Sequence, residues 1–254
     1  TGDTPFGYGT YGSRSLAVGG MAIMASCHKV VEKARKLAAH AFEASEHDIV
    51  VDQGRYFVRG NPGDAKMLAE LAFASYGAGL PEGMEHGLEA VSYFDPPNFV
   101  WPFGCHICAV EVDPETGAVT IDRYVAVDDC GNVINPMVVD GQLHGGIAQG
   151  IGQALFEEAR YDETGQLKTG TLVDYMIPTA PDLPSFETAA TVTPSPTNPL
   201  GVKGIGEAGT IASSVAVINA IVDALSPFGV KDVDMPATPE KIWHLMHRNG
   251  GTTR

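Results

Sequence analysis

GVKGIGEAGT, Gly201 to Thr210, runs directly into IASSVAVINAIVDAL, Ile211 to Leu225. Read literally, GIGEAG (Gly204 to Gly209) fits the GxGxxG fingerprint of a doubly wound dinucleotide-binding fold. That fingerprint needs a buried strand leading straight into its first glycine. Here the preceding residues are TPSPTNPLGVK, and Pro194, Pro196 and Pro199 cannot donate to a central ladder. The sequence therefore argues against a parallel nucleotide-binding sheet, and an NAD-binding dehydrogenase module built on GIGEAG stands as the alternative reading. What the stretch does contain is one carboxylate, Glu207, among four glycines at the start of an apolar helix. Glycines admit close backbone approach, and the free N–H groups of a first helical turn create positive potential. That potential favours a charged carboxylate, the form a general base needs. A first-turn acid that merely offsets the helix dipole would look the same in sequence.

Working outward, the chain reads as α+β: mixed antiparallel hairpins with packed helices. A Gly/Ser loop, GYGTYGSRS (Gly7 to Ser15), precedes a helix expected from about Leu16 to Ser45, where VVEKARKLAAHAFEA is strongly amphipathic. DIVVDQGRYFVRG predicts a hairpin turning at Gln53-Gly54, and AKMLAELAFASY a short helix capped by Asp64. The proline-marked link FDPPNFVWP places a subdomain boundary near residues 95–103 of a unit that otherwise spans residues 1–254. CAVEVD and AVTIDRYVAVDD flank PETG and predict a second hairpin. Pro136 opens a helix whose apolar stripe, MVVDGQLHGGIAQGIGQALFEE, carries glycines that cost about 1 kcal/mol each relative to alanine. Something must therefore approach that backbone closely. A hairpin-like region from Tyr161 to Thr193, the Glu207 helix and a final capped helix in DMPATPEKIWHLM complete the chain.

Composition narrows the function. With 44% hydrophobic and 19% charged residues over 254 positions, the chain is an ordinary globular one with room for a substantial core. Its 16 basic and 31 acidic residues give a net charge of −15, which repels a polyanionic backbone, so nucleic acid is excluded as an expected partner. No apolar run reaches membrane-spanning length, and the opening TGDTPFGYG has neither an initiating Met nor a signal pattern, so Thr1 reads as a cut point in a longer protein. The four cysteines are too few for a disulfide framework in a chain this long, which points to a reducing, cytoplasmic compartment. Cys105 and Cys108 form a CxxC on a predicted strand, whose alternation sends the two thiols to opposite faces, and no metal ligand set is expected.

Three loop-to-helix junctions share one chemistry: GTYGSRS, DDCGNVINP leading into GQLHGG, and GVKGIGE. Each offers backbone donors at a helix start plus polar side chains, as phosphate and polar heterocycles require. Ser13 and Ser15 can donate hydroxyl bonds and Arg14 can pair bidentately with a phosphate, although a surface salt bridge would equally account for Arg14. Asp129, Asn135 and Gln142 supply acceptors and amides suited to a base-like ring, although a solvated helix face would account for Gln142 and His144. Three such junctions suit an extended, phosphate-bearing cofactor better than a mononucleotide.

Together GTYGSRS, DDCGNVINPMVVDGQLHGG, QGIGQALFEE and GVKGIGEAGT resemble, in order, the C-terminal part of the large, molybdenum-binding subunit of the xanthine oxidase family of molybdenum hydroxylases, and YFDPPNFVWPFG resembles its aerobic carbon monoxide dehydrogenase-type branch. The resemblance covers nearly the whole chain. It implies a molybdopterin cytosine dinucleotide with molybdenum, and FAD and iron–sulfur (2Fe-2S) centres on a medium and a small partner subunit. It further implies an upstream part of the same large subunit, a dimer of heterotrimers, and oxidation of a small substrate with oxygen derived from water. By the same resemblance Glu207 is the glutamate beside molybdenum that removes a proton. Thr10, Tyr11, Gly12, Ser13, Arg14 and Ser15 would contact the dinucleotide end, and Asp129, Cys130 and Asn135, with Gln142 nearby, would form a second cofactor loop. Lys203, Gly204 and Ile205 would lie against the pterin, and Cys130 would be a neutral contact. Xanthine-oxidising members follow the glutamate with prolines, whereas Ala208 and Gly209 follow here, so carbon monoxide, an aldehyde or an N-heterocycle is the expected substrate. Alone, the chain is expected to be inactive. A non-catalytic scaffold in which the glycine loops are only turns remains the other alternative.

Overall fold

The computed structural model describes Gly7 and residues 9–247. The opening TGDTPF and Tyr8 of the first loop therefore lie outside the described residues. The chain divides into two compact units, one spanning Val18–Asp95 and the other joining the residues up to Ala17 with those from Pro96 onward.

In the Val18–Asp95 unit the long helix α1 (Met21–Ala41) follows a π-helical turn at Leu16–Gly20. It is shorter than the predicted span, because Glu43 takes a left-handed φ of 53° and turns the chain toward the hairpin. Strands β1 (Ile49–Asp52) and β2 (Arg55–Val58) pair antiparallel across Gln53-Gly54, both of which have positive φ as a tight two-residue turn demands. The expected helix from Ala65 needs correction. Ala65–Met67 is a third strand, β3, paired antiparallel with β2, and only Leu68–Ala74 forms α2. Satisfying the free backbone edge of β2 outweighs local helix propensity over those three residues. The cap is also different: Glu70, not Asp64, closes the turn by accepting a 2.6 Å bond from the Met67 N–H. Ala34, Leu37, Ile49, Tyr56, Leu71 and Leu88 form this unit's core.

The second unit is built on a long antiparallel hairpin, β4 (Phe103–Val112) and β5 (Val119–Asp129). The β4 alternation leaves Cys105 exposed and turns Cys108 to the half-buried face, where burial pushes the Cys108 thiol up to about 11. Beyond it come α3 (Pro136–Leu155), β6 (Phe186–Thr191), α4 (Ala208–Ala224) and α5 (Pro239–His247). The predicted hairpin between Tyr161 and Thr193 is not formed: that stretch holds an isolated Tyr161–Leu167 bridge, and β6 pairs in parallel with β5. Helix α3 carries the chain back between the two strands, and a crossover of that length produces a parallel pair. Tyr124, Ile147, Ile151, Val217, Ile221 and Ile242 are the centre of the core.

The glycine stripe of α3 now has its explanation. A Cβ on Gly150 would run into Ser213 Oγ, one on Gly146 would sit 2.9 Å from the Thr210 nitrogen, and one on Gly209 would sit 2.7 Å from the Leu143 carbonyl oxygen. The close neighbour is α4, and the two helices touch backbone to backbone. Gly141 and Gly145, by contrast, face open space. No helix among the described residues is long and apolar enough to cross a membrane.

Candidate functional site

The three glycine loops, which are far apart in sequence, meet in the second unit. Gly131 and Val202 form an antiparallel bridge, the Lys203 N–H donates to the Cys130 carbonyl at 2.7 Å, and the Asn132 N–H donates to the Gly201 carbonyl at 3.0 Å. Asn132 Nδ2 adds a 2.8 Å bond to the Leu200 carbonyl. Gly131 has a φ of +69°, and a Cβ there would collide with the Gly201 oxygen, so only glycine permits this stitch. The first loop packs on the third just as tightly, since a Cβ on Gly204 would overlap the carbonyl oxygen of Ser13. Ser13 Oγ donates to Glu207 Oε2 at 2.5 Å and accepts from the Glu207 N–H at 3.1 Å.

Between the loops lies a cleft of about 470 Å³. From the predicted set, Thr10, Ser13 and Ser15 line it on one side, Cys130 and Asn135 with Gln142 of α3 on another, and Lys203, Gly204 and Ile205 close it. Leu16, Ile134, Val138 and Val139 supply an apolar wall that the sequence reading missed. The available signal was the spacing of Ile134 and Val138, four residues apart across the Pro136 start of α3; the structure leaves both more than half exposed, 54% and 51%. No Asp or Glu occurs among the lining residues, in a chain with 31 acidic side chains. A cleft cleared of carboxylates suits an anionic, phosphate-bearing ligand with an apolar ring.

Five predicted residues stand outside the lining. Tyr11, Gly12 and Arg14 belong to the same loop, but the Arg14 guanidinium lies 4.8 Å over the Tyr11 ring and donates to the Tyr11 hydroxyl at 2.9 Å. Arg14 makes no ion pair among the described residues. Asp129 is fully buried behind the wall, accepting from Lys203 Nζ at 3.0 Å, the Gly131 N–H at 2.9 Å and Thr191 Oγ1 at 2.9 Å. Burial works against its charge, but the Gly131 amide and the Lys203 ammonium prevail and hold the carboxyl well below the usual range. Glu207 is exposed at the mouth, immediately beyond the lining residue Gly206, as the N-cap residue of α4.

Burial raises the Cys130 thiol above its ordinary value, with the nearby Asp129 and Asp128 charges acting the same way, so the cleft meets a neutral sulfhydryl. Asn135 caps α3 through a 3.3 Å bond from the Val138 N–H to its Oδ1, which leaves its amide nitrogen unused by that cap. His144 is exposed, with its ring edge-on to Phe186 at 5.5 Å. A buried relay escaped notice entirely: His106, inside the CxxC, bridges the Tyr124 hydroxyl and Asp128 Oδ2, each at 2.9 Å, and so braces the end of β5 where the second loop begins. Its only sequence signal was a histidine on the inward phase of β4.

The molybdopterin cofactor-binding domain family matches residues 1–184 of the chain. The chain is 44% identical over 243 residues to the carbon monoxide dehydrogenase large chain of Hydrogenophaga pseudoflava, covering 96% of this chain and 30% of that one. It is 41% identical over 239 residues to the nicotine 6-hydroxylase large subunit of Paenarthrobacter nicotinovorans, covering 93% and 29%. Among solved structures, it superposes on carbon monoxide dehydrogenase from Oligotropha carboxidovorans with a TM-score of 0.90 at 40% identity, covering 98% of this chain and 31% of that one. Quinoline 2-oxidoreductase from Pseudomonas putida 86 gives a TM-score of 0.86 at 42% identity, covering 96% and 31%. The chain thus spans less than a third of the length of the proteins it matches.

Proposed function

Because the chain belongs to the molybdopterin cofactor-binding domain family, we propose that it is the C-terminal portion of a molybdenum hydroxylase large subunit and that its cleft holds part of a molybdopterin cytosine dinucleotide. The observation that carries this reading is the convergence of three glycine loops on one carboxylate-free cleft. Thr10, Ser15 and the backbone of the first loop hold the phosphate-bearing end. Asn135 and Gln142 bond the polar edge of the ring, Ile205 and Val138 cover its apolar faces, and Cys130 contacts it without charge. When bound, the molybdenum supplies two-electron redox chemistry to the site. Glu207 stands at the mouth as general base and takes a proton from the water that provides the oxygen.

The substrate in this reading is small: carbon monoxide, an aldehyde or an N-heterocycle. The electrons leave through an iron–sulfur subunit and an FAD-binding subunit, and the upstream part of the large subunit completes the cavity, all within a reducing compartment. A nicotinamide-dependent reading has lost its support, because β6 ends at Thr191 and an irregular segment, rather than a strand, leads into Gly204. The test is elemental and chemical analysis of the assembled enzyme. One molybdenum and one CMP released per chain are expected, and Glu207→Gln should abolish turnover while leaving both contents unchanged. An assembled enzyme without molybdenum would overturn the proposal.

A further inference from the structure

We propose that Ser13 is a positioning residue for Glu207 rather than a ligand of the phosphate. This deepens the reading of Glu207 as base and rests on it.

A serine hydroxyl has one proton to donate. In this structure that proton goes to Glu207 Oε2 at 2.5 Å, and a lone pair on the same oxygen accepts the Glu207 N–H at 3.1 Å. With its proton so committed, the oxygen has nothing left to donate to a phosphate, which can only accept. Ser13 thus grips the acid at two points, one on its carboxylate and one on its backbone.

The surrounding backbone is shaped to make this grip. Glu207 is the N-cap residue of α4, its own side chain makes no capping bond, and its N–H, which has no partner within the helix, is accepted by the Ser13 hydroxyl 194 residues away. Ser13 takes a left-handed φ of 53°, an unfavourable conformation for a residue with a Cβ, which persists only where neighbours enforce it. The enforcing neighbour is Gly204, whose missing side chain admits the Ser13 carbonyl and Cβ into the third loop. Because Glu207 is otherwise exposed, a fixed donor is what holds its carboxylate in one rotamer instead of several. The other polar residues of the loop, Thr10 and Ser15, share a 2.9 Å hydroxyl bond in which only one proton is consumed, so a proton remains there for a phosphate.

The test uses the assembled enzyme with Ser13→Gly, a change that removes the hydroxyl while relaxing the left-handed backbone. Turnover is followed by dye reduction with carbon monoxide, benzaldehyde and quinoline as trial substrates, and molybdenum and released CMP are measured on the same samples. The expected result is a kcat lower by on the order of 10- to 100-fold, with KM and both cofactor contents unchanged. A fall in molybdenum or CMP content would make Ser13 a cofactor ligand and overturn the inference, as would an unchanged kcat. Glu207→Gln, measured alongside, separates the two levels. If that variant retains turnover, the base reading fails and this inference falls with it. If it is inactive while Ser13→Gly matches the parent enzyme, only the role of Ser13 is lost.

Discussion

Lys203 joins two of the three loops with a single side chain. Its Nζ lies 3.0 Å from Asp129 Oδ1 and 4.7 Å from the centroid of the Phe103 ring, and the side chain is only 8% exposed. Its charge is therefore spent within the protein, and in the proposed reading the phosphates are left to hydroxyls, amides and Arg14. Removing one partner of such a pair strands the other in a buried site, so Asp129→Ala should destabilise the chain by about 3–5 kcal/mol in urea unfolding at neutral pH. The sign with pH follows from the lowered Asp129 carboxyl. Its contribution is complete above the unfolded value of about 3.9 and disappears as pH falls toward the folded one, so Asp129→Asn should flatten the acid limb of the stability profile. Arg14 poses the opposite case: one N–H is bound to Tyr11 and the remaining donors of its fork are free of that bond. Arg14→Ala should reduce CMP content, whereas Tyr11→Phe, which keeps the stacked ring, should reduce it less.

Among the elements, α3 and α4 divide their glycines into two kinds, and substitution should separate them. Gly150→Ala must push Ser213 away and is expected to cost about 1–3 kcal/mol through overpacking. Gly145→Ala meets open space on a helix and should stabilise by about 0.5–1 kcal/mol. Comparing urea midpoints of the two variants checks both. The sequence disclosed the need for a close neighbour along this stripe, but not its identity, because a period of glycines cannot distinguish a helix from a ligand. The hairpins at Gln53-Gly54 and PETG were legible because local turn chemistry determines them. β3 and β6 were not, since Ala65–Met67 and Phe186–Thr191 are strands only by virtue of partners supplied elsewhere in the chain. The same division holds at the cleft. Loop glycines and polar side chains were readable, while the inward turn of Asp129 and the apolar wall depended on packing.

At the level of the whole molecule, a charge of −15 coexists with exposed apolar side chains along one segment: Leu172 is 82% exposed, Val173 93%, Met176 59% and Ile177 53%. Patches of this kind mark surfaces that other protein covers. The chain expressed alone should bind a hydrophobic dye such as ANS. Leu172→Ser with Val173→Ser should cut the fluorescence at least by half, and an unchanged signal would place the dye elsewhere.

The three-loop cleft also fixes an order of events during biosynthesis. Its first wall, around Ser13, emerges from the ribosome long before its last, around Gly204 and Glu207, and the two are joined by bonds spanning 194 positions. Both hairpins can form locally while translation continues, but the cleft has no floor until residue 207 has left the exit tunnel. Any cofactor taken up here must therefore be inserted after this stretch is synthesised, and the core beneath the cleft closes only once Val217, Ile221 and Ile242 have followed it.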